Sequence, residues 1–359
     1  MSRNTDFFLG ANTPKGFVSF FDELYNPYTD VGTYIIKGGP GTGKSTLMKR
    51  LADRLDEKGI PCEKVHCASD PESLDGLISP EAGLCLADGT SPHVIEPRFP
   101  GAAENIINLG RFWDESVLRR KRERIISLTV ENSLYHRRSA AYLSAAGKLE
   151  RETALLSDRY VIEEKAEAFA KRFAQRETPR KKKCSPGRRY RRFASAITPK
   201  GEIFFHESFS ALATRIFALD DKWGQAGKLI CEKIGDKAVA NGYDVIFCYS
   251  PLDSTRSEHI IIPEVNVALV SLKKDFTALP GFCRTVHCGR FMRPTIENNR
   301  QVLRFNSRLK AELIKEAVKK LSAAKQVHDR LEAEYRAAMD FDALTEYSVN
   351  FINKITADI

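Results

Sequence analysis

Short segments of this chain occur twice, in the same order and at nearly the same spacing. Thr-Pro-Lys-Gly lies at residues 13–16 and again at residues 198–201, 185 positions later. The spacing then falls gradually to 178, as small deletions in a second copy would make it. A tandem duplication restricts the fold to two similar units in series. The other matches are Gly43-Lys44 with Gly227-Lys228, Gly59 with Gly242, Asp70 with Asp253, Pro80-Glu81 with Pro263-Glu264, Gly110-Arg111-Phe112 with Gly289-Arg290-Phe291, and Ser144-Ala145-Ala146 with Ser322-Ala323-Ala324.

Within each copy, apolar strand-like runs alternate with a helical pattern. In the first copy the pattern predicts strands over residues 33–37, 62–67 and 84–87, and a helix over residues 44–58. Gly59 suits the C-terminal cap of that helix. The Thr-Pro-Lys-Gly segments are typical of hairpin turns. Alternation of this kind indicates an α/β unit with a mainly parallel sheet and flanking helices.

Two longer segments have a different composition. Residues 114–176 and 296–340 are rich in Glu, Lys, Arg, Ala and Leu, which predicts a long helical hairpin after each core. Between the copies, residues 177–192 are strongly basic and contain Pro186-Gly187, which is typical of a solvated linker. The predicted order is a first core over 1–113, a helical hairpin over 114–176, a basic linker over 177–192, a degenerate second core over 193–292, and a helical hairpin with a C-terminal tail over 293–359.

The first copy contains a glycine-rich segment between a predicted strand and a predicted helix. Residues 38–46, called the glycine loop below, fit the pattern G-x-x-x-x-G-K-[ST]. Such glycines let successive backbone N–H groups point at phosphate oxygens, and the helix that follows adds the positive end of its dipole. The residues predicted to bind a nucleotide are Gly38, Gly39, Gly41, Thr42, Gly43, Lys44, Ser45 and Thr46.

Two side chains of the glycine loop have predicted chemical roles. The ammonium of Lys44 would lie against the β- and γ-phosphates, which makes Lys44 a candidate catalytic residue. The hydroxyl of Ser45 would ligate Mg²⁺. The predicted cofactors are therefore ATP and Mg²⁺.

The glycine loop resembles the Walker A motif of the P-loop NTPase superfamily. Over nearly its full length the chain resembles a bacterial family of tandemly duplicated P-loop ATP-binding proteins, through the paired Thr-Pro-Lys-Gly segments and the His-Cys-Ala-Ser-Asp-Pro run at residues 66–71. The resemblance implies two tandem P-loop NTPase-like units and binding of ATP. It implies little about a substrate, because that family is described mainly as ATP-binding.

A magnesium site also needs a carboxylate at the end of a neighbouring strand. Asp88 follows the apolar run of residues 83–87 and is predicted to orient Mg²⁺ or its waters, as both a metal-binding and a catalytic candidate. In one alternative, Asp88 only begins a surface turn with Gly89. In another, Asp70 takes the metal role, or it caps a helix over residues 71–74.

The second copy has lost parts of this pattern. Its equivalent segment, residues 221–229, reads Asp-Lys-Trp-Gly-Gln-Ala-Gly-Lys-Leu. Leu229 replaces the hydroxyl of Ser45, and Ser271 stands where the first copy has Asp88, so both proposed metal contacts are absent. We expect one competent nucleotide site per chain, and little effect on that site when Lys228 is removed.

The composition suits a cytoplasmic protein with polyanionic partners. The formal net charge is +9, which favours nucleotides or nucleic acid as partners. No run approaches the ~20 apolar residues that span a membrane, and the N-terminus lacks a secretory pattern. We therefore predict a cytoplasmic location and no membrane partner. The basic segment that could bind nucleic acid, residues 180–192, contains Arg180, Lys181, Lys182, Lys183, Arg188, Arg189, Arg191 and Arg192.

Three functions fit these features. The first is an ATPase in which the helical segments move or bind a protein partner. The second is a small-molecule or nucleotide kinase, in which basic residues near the start of the helical segment form a lid. The third is a nucleic-acid-associated nucleotide switch that uses the basic segment. Glu81, Asp70 and Asp75 are candidates for a base that polarises water.

Overall fold

The computed structural model describes residues 4–24, 32–91, 93–182, 185–272, 282–357 and 359. Each copy contributes one six-stranded sheet, so the α/β class is confirmed. The strands are β1 (Thr5–Phe7), β2 (Gly10–Thr13), β3 (Gly16–Ser19), β4 (Gly32–Lys37), β5 (Glu63–His66), β6 (Leu74–Ser79), β7 (Leu84–Asp88), β8 (Glu104–Asn108), β9 (Arg189–Arg192), β10 (Ser195–Thr198), β11 (Gly201–Phe204), β12 (Arg215–Asp220), β13 (Val245–Tyr249), β14 (Ser257–Ile262), β15 (Val267–Ser271) and β16 (Phe282–His287).

Helices lie around both sheets and follow each core. They are α1 (Lys44–Glu57), α2 (Glu115–Arg120), α3 (Arg122–Asp158), α4 (Glu163–Glu177), α5 (Glu207–Leu212), α6 (Gln225–Ala240), α7 (Arg300–Arg336) and α8 (Phe341–Ile355). The apolar residues of α1 recur every three or four positions and are buried, which explains why this segment forms a helix against the sheet.

The two sheets have the same strand order, as a tandem duplication predicts. The order is β1-β5-β6-β7-β4-β8 in the first sheet and β9-β13-β14-β15-β12-β16 in the second. β6 and β14 run antiparallel to both neighbours, whereas the other pairings are parallel. The sheets are therefore mixed, with mostly parallel strands.

The Thr-Pro-Lys-Gly segments form hairpin turns, as predicted. One joins β2 to β3 and the other joins β10 to β11. In the first turn, the Thr13 hydroxyl donates to the carbonyl of Gly16 at 2.8 Å and accepts from the N–H of Lys15 at 3.1 Å. Gly16 has a φ of 93°, a conformation that favours glycine.

The long helices α3 and α7, 37 residues each, pack antiparallel against each other. The direction follows from ion pairs near opposite ends of the contact. Lys121 Nζ lies 2.8 Å from an oxygen of Glu334, and Lys310 Nζ lies 2.6 Å from an oxygen of Glu150. Two apolar clusters seal the contact, one of which contains Leu128.

The predicted helical hairpin within each copy is therefore wrong. α3 and α4, which are described throughout, do not pack along each other, because the partner of α3 is the equivalent helix of the other copy. α4 instead packs closely on α6 of the second core, using the small residues Ala166, Ala170 and Ala174. α8 joins the apolar cluster of the first core through Leu344 and Ile352. Each copy thus covers the core of the other.

The two copies meet at a pair of equivalent phenylalanines. Phe8 and Phe193 exchange two backbone hydrogen bonds, each 2.9 Å long. Phe8 stacks on Phe205 and Phe193 stacks on Phe20, with ring centroids 4.8 and 4.6 Å apart. Because each contact has an equivalent in the other copy, the copies are related by an approximate two-fold axis through this point.

We predict that Phe8→Ala lowers the free energy of unfolding by about 3–5 kcal/mol, because the side chain is fully buried at the contact between the copies. Urea unfolding would measure the loss. Phe305→Ala is the control, because Phe305 is 53% exposed and its removal should change stability by less than about 0.5 kcal/mol. Equal effects of the two substitutions would contradict the assignment of Phe8 to the shared core.

Candidate functional site

The glycine loop connects the carboxyl end of β4 to the first turn of α1. Gly41 and Gly43 have φ values of 69° and 85°, so the backbone turns in a way that other residues adopt only under strain. Gly43 is the residue before α1, and no side chain caps the helix there. The first N–H groups of α1 therefore lack a capping side chain, the arrangement in which helix N-termini bind anions.

Lys44 folds back onto its own loop. Its ammonium donates to the carbonyl oxygens of Gly38 at 3.1 Å and Gly39 at 2.9 Å. The Thr42 hydroxyl also donates to the carbonyl of Gly39, at 2.8 Å. Both acceptors are neutral carbonyls, so a phosphate oxygen arriving at the loop would offer Lys44 a charged acceptor and a stronger contact.

Asp88 ends β7, which pairs directly with β4 in parallel. One oxygen of Asp88 lies 3.7 Å from Lys44 Nζ, and the other accepts hydrogen bonds from the N–H and hydroxyl of Thr90. The residue is only 9% exposed, and this burial raises the pKa of the carboxyl above its ordinary 3.8, with Lys44 and Thr90 acting in the opposite direction. The alternative of a simple surface turn at Asp88 does not fit this burial.

Ser45 and Thr46 occupy the first turn of α1. The Ser45 hydroxyl oxygen accepts a hydrogen bond from the N–H of Leu74 at 2.9 Å, which fixes its position beside β6. Thr46 is exposed. Among the described residues, no group of three His, Cys, Asp or Glu side chains could hold a metal by itself. A magnesium ion at Ser45 and Asp88 would therefore need phosphate and water oxygens as its other ligands, which is how Mg²⁺ usually binds beside a nucleotide.

Asp75 and His93 form a buried pair near Asp88, and only Asp75 was indicated by the sequence. Asp75, one of the candidate bases, has an oxygen 3.1 Å from His93 Nε2, and both side chains are less than a tenth exposed. The His93 ring stacks on Phe21 with centroids 4.4 Å apart. After burial itself, the charge of Asp75 is a further cause that raises the pKa of Asp88. His93 follows β7 in an irregular segment, so no sequence period indicated it.

Asp70 does not cap a helix, and its alternative role in binding the metal stays a prediction. No helix follows it, because residues 71–73 form a turn and β6 begins at Leu74. The Asp70 carboxylate accepts from the Ser73 hydroxyl at 3.0 Å and lies 3.5 Å from Lys325 Nζ of α7. Antiparallel pairing of β6 with both β5 and β7 outweighed the local helix-start signal.

Helix α7, from the second copy, packs directly on the glycine loop. A Cβ atom added to Gly41 would lie 2.9 Å from Cγ of Arg336 and 3.1 Å from the carbonyl oxygen of Glu332. A Cβ atom added to Gly39 would lie 2.7 Å from the Tyr335 ring. These glycines are thus needed for close approach as well as for backbone freedom. Contact between the loop and the other copy could not be inferred from the sequence.

A cavity of about 540 Å³ opens where α7 turns into α8, and no residue of the glycine loop lines it. Trp113 lines this cavity and lies 5.9 Å, between ring centroids, from Tyr335, which contacts the loop. The cavity and the glycine loop are therefore neighbours separated by one aromatic pair.

The equivalent loop of the second copy already contains an anion of its own. The Asp221 carboxylate accepts from the N–H groups of Gly227 at 2.6 Å and Trp223 at 3.2 Å. Burial raises the pKa of Asp221. These backbone donors are thus engaged by a side chain of the same loop.

Lys228, the counterpart of Lys44, is held by carboxylates. It is 3% exposed, and its ammonium lies 3.6 Å from Glu150 of α3 and 3.5 Å from Asp253. Burial by itself would lower the pKa of Lys228, but Glu258, Glu150 and Asp253 outweigh it and raise the pKa. Lys228 therefore has a structural environment that differs from that of Lys44.

The basic segment is not the solvated linker that we predicted. Its last four residues form β9, an edge strand that pairs with β13, so the second sheet begins before residue 193. Arg192 is 5% exposed, with Nε 2.6 Å from an oxygen of Glu63 in the first copy. The backbone N–H of Arg191 donates to Glu23 at 2.6 Å. Lys183 lies outside the described residues. Part of the positive charge thus joins the copies instead of facing solvent.

We predict that Arg192→Ala lowers the free energy of unfolding by about 3 kcal/mol, because it removes a buried guanidinium and leaves the partly buried carboxylate of Glu63 without its partner. Arg188→Ala removes the same charge from an exposed side chain of the same segment and should have little effect. Denaturant unfolding of both variants would test this. If Arg192→Ala left stability unchanged but weakened binding to single-stranded DNA, the structural role would be refuted.

Comparisons of the chain with protein-family models, with curated proteins and with solved structures give no match. Among the described helices, none combines the length and the apolar character that crossing a bilayer requires.

Proposed function

We propose that this chain binds ATP with Mg²⁺ at the glycine loop, one nucleotide per chain, and hydrolyses it to drive a conformational change. The observation that supports this most is the placement of Lys44, the first residue of α1, 3.7 Å from Asp88, which ends the strand that pairs in parallel with β4. The loop between strand and helix, with two glycines at positive φ, is the form that phosphate-binding loops take. The choice of ATP rests on the family resemblance.

Each residue has a separate role in the proposed site. Lys44 would exchange the carbonyls of Gly38 and Gly39 for β- and γ-phosphate oxygens and stabilise charge that develops during cleavage. Ser45 and Asp88 would hold Mg²⁺ or its waters. Bound Mg²⁺ would supply charge neutralisation between the β- and γ-phosphates.

The second loop supports the proposal of one nucleotide per chain. In that loop the N–H of Gly227 already donates to the carboxylate of Asp221, which leaves this donor unavailable to a phosphate. Lys228 lies beside the carboxylates of Glu150 and Asp253. A nucleotide there would have to displace carboxylates that are part of the packed structure.

The helices offer a route from the nucleotide to a partner. α7 contacts the glycine loop at Gly41 and α8 contacts it at Gly43, so a change in the loop conformation would alter the packing of both helices. Ile126 and Val130, one turn apart on α3, are both more than half exposed, and we place a protein partner there.

We predict that Lys44→Ala weakens ATP binding at least about tenfold, because a contact between an ammonium and phosphate is lost. Isothermal titration with ATP and Mg²⁺ would measure this. Lys49→Ala is the matched control, since it removes the same charge from an exposed position on α1.

Lys228→Ala completes that test in the second copy. It should leave ATP affinity unchanged but lower the free energy of unfolding, because Glu150 and Asp253 lose a buried partner. Loss of ATP affinity in Lys228→Ala equal to that in Lys44→Ala would contradict a single site.

We predict that Asp88→Asn removes the enhancement of ATP binding by Mg²⁺ and makes the nucleotide-free protein more stable at neutral pH. Burial raises the pKa of Asp88 in the folded state, so ionisation of this group favours unfolding. That penalty is present above the raised pKa and absent below the ordinary value of 3.8, where both states are protonated. Asparagine stays neutral and avoids it.

Thermal unfolding at several pH values, together with ATP titrations with and without Mg²⁺, would test the Asp88 prediction. Asp56→Asn serves as a control because Asp56 is an exposed carboxylate on α1, away from the glycine loop. A stable variant that keeps its full response to Mg²⁺ would exclude Asp88 from the metal site.

A further inference from the structure

The long helices can be compared position by position. α3 and α7 have the same length and start 178 residues apart, and so do α4 and α8. Each residue of α7 therefore has an equivalent in α3. Through this relation, His328 corresponds to Glu150, and Arg336 corresponds to Asp158.

These equivalent positions face the lysines of the two loops. At the loop of the second copy, an oxygen of Glu150, from α3, lies 3.6 Å from Lys228 Nζ. In the first copy, the stem of Arg336 contacts the glycine loop at Gly41. Because the copies share their architecture, a side chain at the position of His328 can reach Lys44 of the glycine loop, as Glu150 reaches Lys228.

The side chains at these positions differ between the two loops. Over the second loop, α3 presents the carboxylates of Glu150 and Asp158. Over the glycine loop, α7 presents His328, Arg336 and, one turn earlier, Lys325, whose equivalent is Gly147.

Three carboxylates lie beside these α7 side chains. Glu332 lies 3.3 Å from His328 Nε2, and its equivalent in α3 is Ala154. Lys325 is paired with Asp70 at 3.5 Å and with Asp329. Arg336 has a guanidinium 5.9 Å from the ring centroid of Phe341 and is exposed, so it is placed to meet an anion at the loop.

We propose that the nucleotide site is shared between the two copies: α7 of the second copy supplies His328 and Arg336 as contacts for the phosphates held by the glycine loop. At the loop of the second copy the equivalent helix position, on α3 of the first copy, carries Glu150, whose carboxylate stands where a phosphate oxygen would be. This inference rests on the proposed function and adds to it the residues that complete the site from the other copy. A bound triphosphate thereby links the loop of one copy to the helix of the other.

Transfer of the equivalent α3 residue, Glu150, onto α7 tests the inference. His328→Glu places a carboxylate opposite Lys44, as Glu150 lies opposite Lys228, and should weaken ATP binding at least about tenfold. Gln326→Glu introduces the same negative charge on an exposed face of the same helix and should change ATP binding by less than about twofold. Calorimetric titration with ATP and Mg²⁺, and thermal unfolding of each variant, are the measurements.

A second variant keeps the test valid if His328→Glu fails to fold. Arg336→Ala shortens an exposed side chain, so the fold should tolerate it, and its affinity for ATP should fall more than its affinity for AMP. Affinities equal to wild type in both variants, with Lys44→Ala still defective, would overturn the shared site and leave the proposed function intact. Wild-type protein that binds no ATP would overturn the proposed function itself.

Discussion

The antiparallel pairing of α3 with α7 determines how the rest of the molecule is arranged. A helix of 37 residues is longer than either core, so it carries the chain past its own sheet and delivers the next helix to the other one. α4 therefore reaches the second core and α8 reaches the first. The backbone hydrogen bonds between Phe8 and Phe193 form a second contact between the copies in the same approximate two-fold arrangement.

Local signals in the sequence were sufficient for the elements around the glycine loop. Strand β4, helix α1 and strand β7 lie within one or two residues of their predicted bounds, and both Thr-Pro-Lys-Gly turns are hairpins. These predictions depend on glycine and proline conformations and on apolar periodicity, which are properties of short segments. The position of Asp88 beside Lys44 follows from them, because parallel neighbours end at the same edge of a sheet.

The partners of the helices could not be predicted in this way. An apolar stripe on α7, which includes Leu303, Ala317 and Leu321, indicates that the helix packs against something, but it is equally compatible with a hairpin inside one copy and with exchange between copies. The same applies to Arg192, whose charge indicates a solvated linker until its partner in the first copy, the partly buried carboxylate of Glu63, is known. His93 and the contact of Arg336 with Gly41 also depend on residues distant in the sequence.

The exchange of terminal helices has a consequence for biosynthesis. α4 precedes the core that it covers, so the second sheet can close as soon as its last strand leaves the ribosome. α8 is the final helix of the chain, and Leu344 and Ile352 cover a first core whose sheet was completed by β8. The apolar face of α1 must therefore remain partly uncovered while the rest of the chain is translated. The core that is synthesised first is therefore the last to have its apolar cluster completed.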